Sequence, residues 1–163
     1  RSPRFYTSGP NANEFERMRD FGLDVRVIGP TTGQASGIKM CYAAMTKGTA
    51  ALHSQLLMAA EAMGLYDPLL QEFQSGHSAV VDRMENWIPG VPAKSRRWVS
   101  EMKEIEQTFK QLGMTSNIFK GVADMYELIG STDLADETPE SRDQTRTLKT
   151  TIERLTGELP STE

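Results

Sequence analysis

The residues best placed to do chemistry lie in one segment, Gly29-Pro30-Thr31-Thr32-Gly33-Gln34-Ala35-Ser36-Gly37-Ile38-Lys39-Met40-Cys41-Tyr42-Ala43-Ala44-Met45-Thr46-Lys47-Gly48. A strand-like run precedes it, and it opens a long helical pattern. Small residues at Gly33, Ala35, Ser36 and Gly37 let a ligand or another backbone approach the first helical turn. Amides at such a terminus favour an anionic group such as a carboxylate. At 100° per residue, Tyr42, Ala43 and Thr46 fall within about a quarter-turn of the line through Lys39. An ammonium, a phenol and a hydroxyl therefore follow one face, beside a place suited to an anion.

The flanking pattern supplies the elements that would hold this segment. Arg4-Phe5-Tyr6-Thr7 is β-prone and stops at Ser8-Gly9-Pro10. Asn11 or Asn13 is suited to cap a helix through Phe15, Met18 and Phe21 that Gly22 closes. Leu23 to Ile28 alternates as a half-buried strand does. This strand–helix–strand unit is too small to stand alone and reads as the last crossover of a larger doubly wound sheet.

From Thr32 or Gly33 an alanine- and methionine-rich helix runs to Gly64, roughly 45 Å long at 1.5 Å per residue. Shorter helices are expected over Tyr66–Gln74, His77–Trp87, Ala93–Leu112 and Ser116 or Asn117 to Gly130. Apolar spacing turns Trp98, Met102, Ile105, Phe109 and Leu112 inward on one of them, and Ile118, Val122, Met125, Tyr126 and Ile129 on the next. An acidic linker over 131–141 leads to a last amphipathic helix, about Glu140 to Thr156, offering Leu148, Ile152 and Leu155. The expected fold is mainly α with a small β-α-β remnant of a Rossmann-type domain over 1–30, a helical domain over 31–130, and an acidic linker with carboxy-terminal helix over 131–163.

With these residues in view, the segment resembles the β-hydroxyacid and 6-phosphogluconate dehydrogenases. Their motif is Gly-x-Gly-x-x-x-Lys-x-x-x-Asn, and this chain reads Gly33-x-Ala35-x-x-x-Lys39-x-x-x-Ala43. The broader run Lys39-Met40-Cys41-Tyr42-Ala43-Ala44 with Lys47-Gly48 is similar to a subset having a phosphogluconate-dehydrogenase-like carboxy-terminal domain. So are Lys94 to Ile105 and Phe5-Tyr6-Thr7-Ser8-Gly9. The resemblance implies that 31–130 is the helical substrate and dimerisation domain of an NAD- or NADP-dependent oxidoreductase, exchanging hydride with a hydroxyacid, alcohol or related carbonyl compound. It also implies Lys39 as general acid/base, and a homodimer paired through this domain. The family asparagine is replaced by Ala43, so Tyr42 or Thr46 is expected to supply the missing hydrogen bond. Gly33, Ala35, Ser36 and Lys47 complete the expected substrate contacts. The alternative is a non-redox dimerisation or ligand-binding module that keeps the scaffold.

Other features narrow the classes. The first residue is Arg1, which reads as a start inside a longer product. No Gly-x-Gly-x-x-Gly follows an opening strand, so no cofactor is expected to bind this piece alone. His53 and His77 have no partners at metal-ligand spacing, and both read as structural histidines. Cys41, the single cysteine, reads as packing, and its being alone fits a reducing cytoplasm. Arg96, Arg97 and Glu101 read as a salt-bridged face, with Arg97 a further candidate for a substrate carboxylate. Of the 22 acidic and 18 basic residues, eight and four fall in 131–163, so the net charge of −4 sits in the tail. The balanced remainder carries no basic stripe for nucleic acid, and no apolar run is long enough to span a bilayer.

Overall fold

The computed structural model describes residues 3–159. The chain forms two compact units, Arg1–Ala43 and Ala44–Glu163.

In the first unit, β1 (Arg4–Ser8) and β2 (Asp24–Gly29) pair in parallel, with Arg4 opposite Asp24 and Tyr6 opposite Arg26. The register slips at the end, where Thr7 faces Val27 and Ser8 faces Gly29. The connection is a ten-residue 3-10 helix, Ala12–Phe21, rather than an α-helix. Asn11 sits at its start but its side chain makes no capping bond, a correction to the expected cap. The segment is held from its other end. Arg19 donates from Nε and Nη2 to the carbonyl of Val25, at 3.0 and 2.8 Å. Gly22 turns the chain at φ 83°, a left-handed conformation that glycine adopts without strain.

Helix α1 (Gln34–Ala62) runs 29 residues without proline and is closed by Gly64, as its composition predicts. Its first turns belong to the first unit and the remainder to the second. The two helices expected over 66–87 are one, α2 (Tyr66–Trp87), bent where His77 leaves helical geometry at φ −143°, ψ 41°. Ser75-Gly76 precedes the bend, and weak helix formers at that point explain both the expected break and the observed kink.

A 3-10 turn at Ile88–Gly90 leads into α3 (Pro92–Gln111), followed by α4 (Asn117–Gly130). These two helices pack along each other. Trp98, Met102 and Ile105 of α3 and Met125, Tyr126 and Ile129 of α4 are buried, as are Leu57, Val81 and Met84, and the Trp98 and Tyr126 rings meet edge to face at 5.3 Å. Phe109 and Phe119 stack edge to face at 5.1 Å. Leu112 and Ile118 are exposed instead, because the apolar periodicity continues past the ends of the packed surface.

The stretch read as a linker is partly built in. Asp133–Asp136 is a 3-10 turn that buries Leu134 and Ala135. Helix α5 (Leu148–Gly157) starts eight residues later than Glu140, the expected beginning. The reason is local: Ser141 Oγ accepts from the amide of Thr138 at 2.8 Å, and Asp143 accepts from the amide and hydroxyl of Thr145 at 2.8 and 2.7 Å. Such side-chain bonds compete with helix formation. Thr147 then caps α5, accepting from the amide of Thr150. Leu148, Ile152 and Leu155 are buried as their spacing predicts.

Candidate functional site

Gly33 enters α1 at φ 94°, and a Cβ built there would meet nothing within 4 Å. The glycine is therefore required by backbone conformation and not by space. Two residues on, the amide of Ala35 donates to Ser8 Oγ at 3.0 Å, which pins the start of α1 to the end of β1. That amide, expected to face an anion, is thus engaged inside the protein. The amide of Gly37 is in the helix ladder, donating to Gly33 at 2.8 Å.

Beside this junction lies a cavity of about 370 Å³, lined by Arg4, Phe5, Tyr6, Ala35, Ser36 and Lys39. Three of the expected site residues, Ala35, Ser36 and Lys39, are brought together here. Arg4 and Tyr6 join them, and neither was singled out by the sequence. Their alternation along β1 is a legible signal for a shared face, but the strand's place beside α1 is not legible locally.

On that sheet face Asp24 accepts from Nε and Nη2 of Arg26, both at 3.2 Å. Arg26 holds the Asp24 carboxyl below its ordinary range, with lesser help from Arg4 and Arg19. Arg4 itself stands 3.9 Å from Asp24.

The remaining candidates are distributed. Tyr42 is exposed on the next turn of α1. Thr46 is buried in the second unit, at a crevice with His53, Arg83 and Trp87. Burial, and secondarily Arg83, pushes the pKa of His53 down. Lys47 is ion-paired with Glu101 and lies over the Trp98 ring, 5.2 Å from its centroid. Arg96 donates to the carbonyl of Gly130 and to Asp136 at 2.8 and 2.7 Å, so the expected salt-bridged face has its partners on other elements. A second cavity of about 370 Å³ between α1 and α4 is apolar, lined by Ala44, Gly48, Leu52, Phe119, Val122 and Met125 among others. Among the described residues no three of His, Cys, Asp and Glu cluster as metal ligands. No described helix is long and apolar enough to cross a membrane.

A long alanine-rich helix following a parallel β pair, with α3 and α4 packed along each other in the second unit, is similar to 3-hydroxyacid dehydrogenase carboxy-terminal domains. Residues 60–129 match a domain of unknown function (DUF1932). An uncharacterized 28.5 kDa protein in the 7S RNA 5′ region of Methanothermus fervidus is 31% identical over 123 residues, 75% of this chain and 49% of that protein. The fold is that of a conserved hypothetical protein from Sinorhizobium meliloti 1021, with a TM-score of 0.77 and 22% identity over 94% of this chain and 51% of that one. It is also similar to the conserved protein MTH1747 of unknown function, whose structure reveals similarity with 3-hydroxyacid dehydrogenases. There the TM-score is 0.67, at 26% identity over 78% of this chain and 50% of that one. The chain spans about half the length of these relatives.

Proposed function

We propose that the chain is the carboxy-terminal part of an NAD- or NADP-dependent oxidoreductase acting in the cytoplasm on a hydroxyacid, alcohol or related carbonyl compound, with Lys39 as general acid/base. The observation that carries this reading is the position of Lys39. It lies in the second turn of α1 after the glycine-rich entry and lines a cavity with Ala35, Ser36 and the face of β1.

Oxidation of an alcohol releases the hydroxyl proton, and reduction of a carbonyl requires one. An amine at this place accepts or returns that proton at the substrate oxygen. Ser36 and Tyr42 supply hydroxyls for positioning, in place of the amide that Ala43 lacks. Gly33 and Ala35 keep the approach open.

The residues present do not fit a dinucleotide. Ser8-Gly9-Pro10 follows β1 in place of a glycine-rich phosphate turn, and the Gly9 amide is spent on the carbonyl of Gly29 at 3.0 Å. In this reading the cofactor is held by the rest of a longer protein, consistent with relatives of twice the length.

The reading also takes the molecule as a homodimer, supported by the apolar cavity between α1 and α4 and by the exposure of Met45, Leu52 and Ile118. The experiment that tests the function is Lys39→Met in the longer protein, assayed on its substrate. Turnover is expected to fall by roughly 10²–10⁴-fold with folding and cofactor affinity retained. Retention of more than about half the turnover removes the catalytic assignment and favours a non-redox binding module on the same scaffold.

A further inference from the structure

We infer that Arg4 is an anion-binding residue: with Tyr6, Ser36 and Lys39 it forms a receptor for a carboxylate or phosphate group in the cavity between β1 and the first turns of α1. The inference rests on the proposed role of Lys39 only where it takes that anion to be the acidic end of the substrate. The receptor itself stands on separate observations.

Two cationic side chains from different elements line one cavity, and no carboxylate is among its lining residues. Two like charges facing a shared space repel, and an anion between them turns that cost into attraction. Tyr6 and Ser36, which carry hydroxyl groups, are among the same lining residues. Phe5 and Ala35 supply the apolar surface against which the carbon part of a small ligand packs.

The state of Arg4 decides which residue carries specificity. Its nearest described carboxylate, Asp24, lies at 3.9 Å, beyond hydrogen-bonding distance. Asp24 is already gripped through both oxygens by Arg26. Asp24 therefore leaves the donors of Arg4 unused, and its negative charge only offsets part of the attraction that Arg4 offers an anion. The planar fork of a guanidinium matches the paired oxygens of a carboxylate or phosphate, whereas Lys39 offers a point charge suited to proton transfer.

The test is a titration of the ¹⁵N-labelled 163-residue chain at constant ionic strength with inorganic phosphate, 3-hydroxypropanoate, and the uncharged methyl ester of the latter. Saturable amide shifts at Tyr6, Ser36 and Lys39 are expected with one or both anions and not with the ester. The anion that saturates at lower concentration assigns the source. Arg4→Gln should weaken binding by about tenfold or more, Arg4→Lys should weaken it less, and Asp24→Asn should leave it unchanged or tighter. Unchanged spectra away from β1 report that each variant remains folded. Equal shifts with the ester, an Arg4→Gln titration matching that of the parent chain, or no saturation by about 50 mM of either anion would overturn the inference. The two readings fail separately. An inert Arg4 leaves the lysine assignment standing, and an active Lys39→Met enzyme leaves the anion receptor standing.

Discussion

The hydroxyl of Tyr126 donates to the backbone carbonyl of Lys47 at 2.7 Å, joining α4 to the middle of α1 across 79 residues of sequence. Tyr126 is fully buried, and its ring meets Trp98 edge to face at 5.3 Å. Burial foremost, with the charge of Glu101, drives its phenol pKa far up, so it donates at every ordinary pH. Tyr126→Phe removes the donor while keeping the ring. It should destabilise the chain by about 1–2 kcal/mol, because a helical carbonyl keeps its ladder bond and loses only the second one. Urea unfolding measures this, and coincident midpoints would show that the bond contributes nothing.

The entry to α1 makes a paired prediction about glycine. Gly33, at φ 94°, should not tolerate a side chain, and Gly33→Ala should cost about 1–2 kcal/mol. Gly37 lies inside α1, at a conformation open to any residue and with nothing within 4 Å of a built Cβ. Gly37→Ala should stabilise by roughly 0.5–1 kcal/mol. Thermal unfolding of the two variants should move in opposite directions, and equal shifts would contradict the backbone argument.

Acid sensitivity should reside partly in Glu137. It accepts from both terminal nitrogens of Arg146, at 2.8 and 2.5 Å, and the Arg146 side chain is only 2% exposed. The Arg146 hydrogen bonds lower the Glu137 pKa against a smaller desolvation effect. A carboxyl with a depressed folded pKa contributes stability that is present above its unfolded value, about 4.3, and is lost as pH falls through the folded value. The parent chain should therefore exceed Glu137→Gln in stability near pH 7, and the gap should shrink as pH falls below about 4.3 and through the lowered folded value. A gap independent of pH would show that Glu137 acts through packing alone.

Dimerisation should be visible by sedimentation. With the apolar cavity between α1 and α4 taken as part of the contact, the chain should sediment as a dimer at tens of micromolar, and Leu52→Glu should shift it toward 18.1 kDa. Leu52 is 59% exposed, so the charge is tolerated in the monomer. A parent chain that already sediments as a monomer sinks the dimer proposal.

Periodicity and glycine placement were enough to specify α1, α3 and α4, because alanine runs, three-and-four spacing and a stop residue act within each segment. The same local signals announce the parallel β pair and the lysine that follows its glycine-rich turn. They failed where a segment's fate depends on distant partners. Leu112 and Ile118 continue an apolar pattern onto ends that no neighbour covers, and residues 140–147 obey short side-chain bonds rather than the helical period. Lys47 could be read as a ligand contact from its place in the motif, yet Glu101, 54 residues away, holds it in an ion pair. Arg4 carried no signal beyond β-propensity, and only the packing of β1 beside α1 sets it in a cavity with Lys39. Helix formation is decided within a few turns by the residues themselves. Which charge meets which is decided by tertiary packing, since side chains far apart in sequence become neighbours only when the core closes.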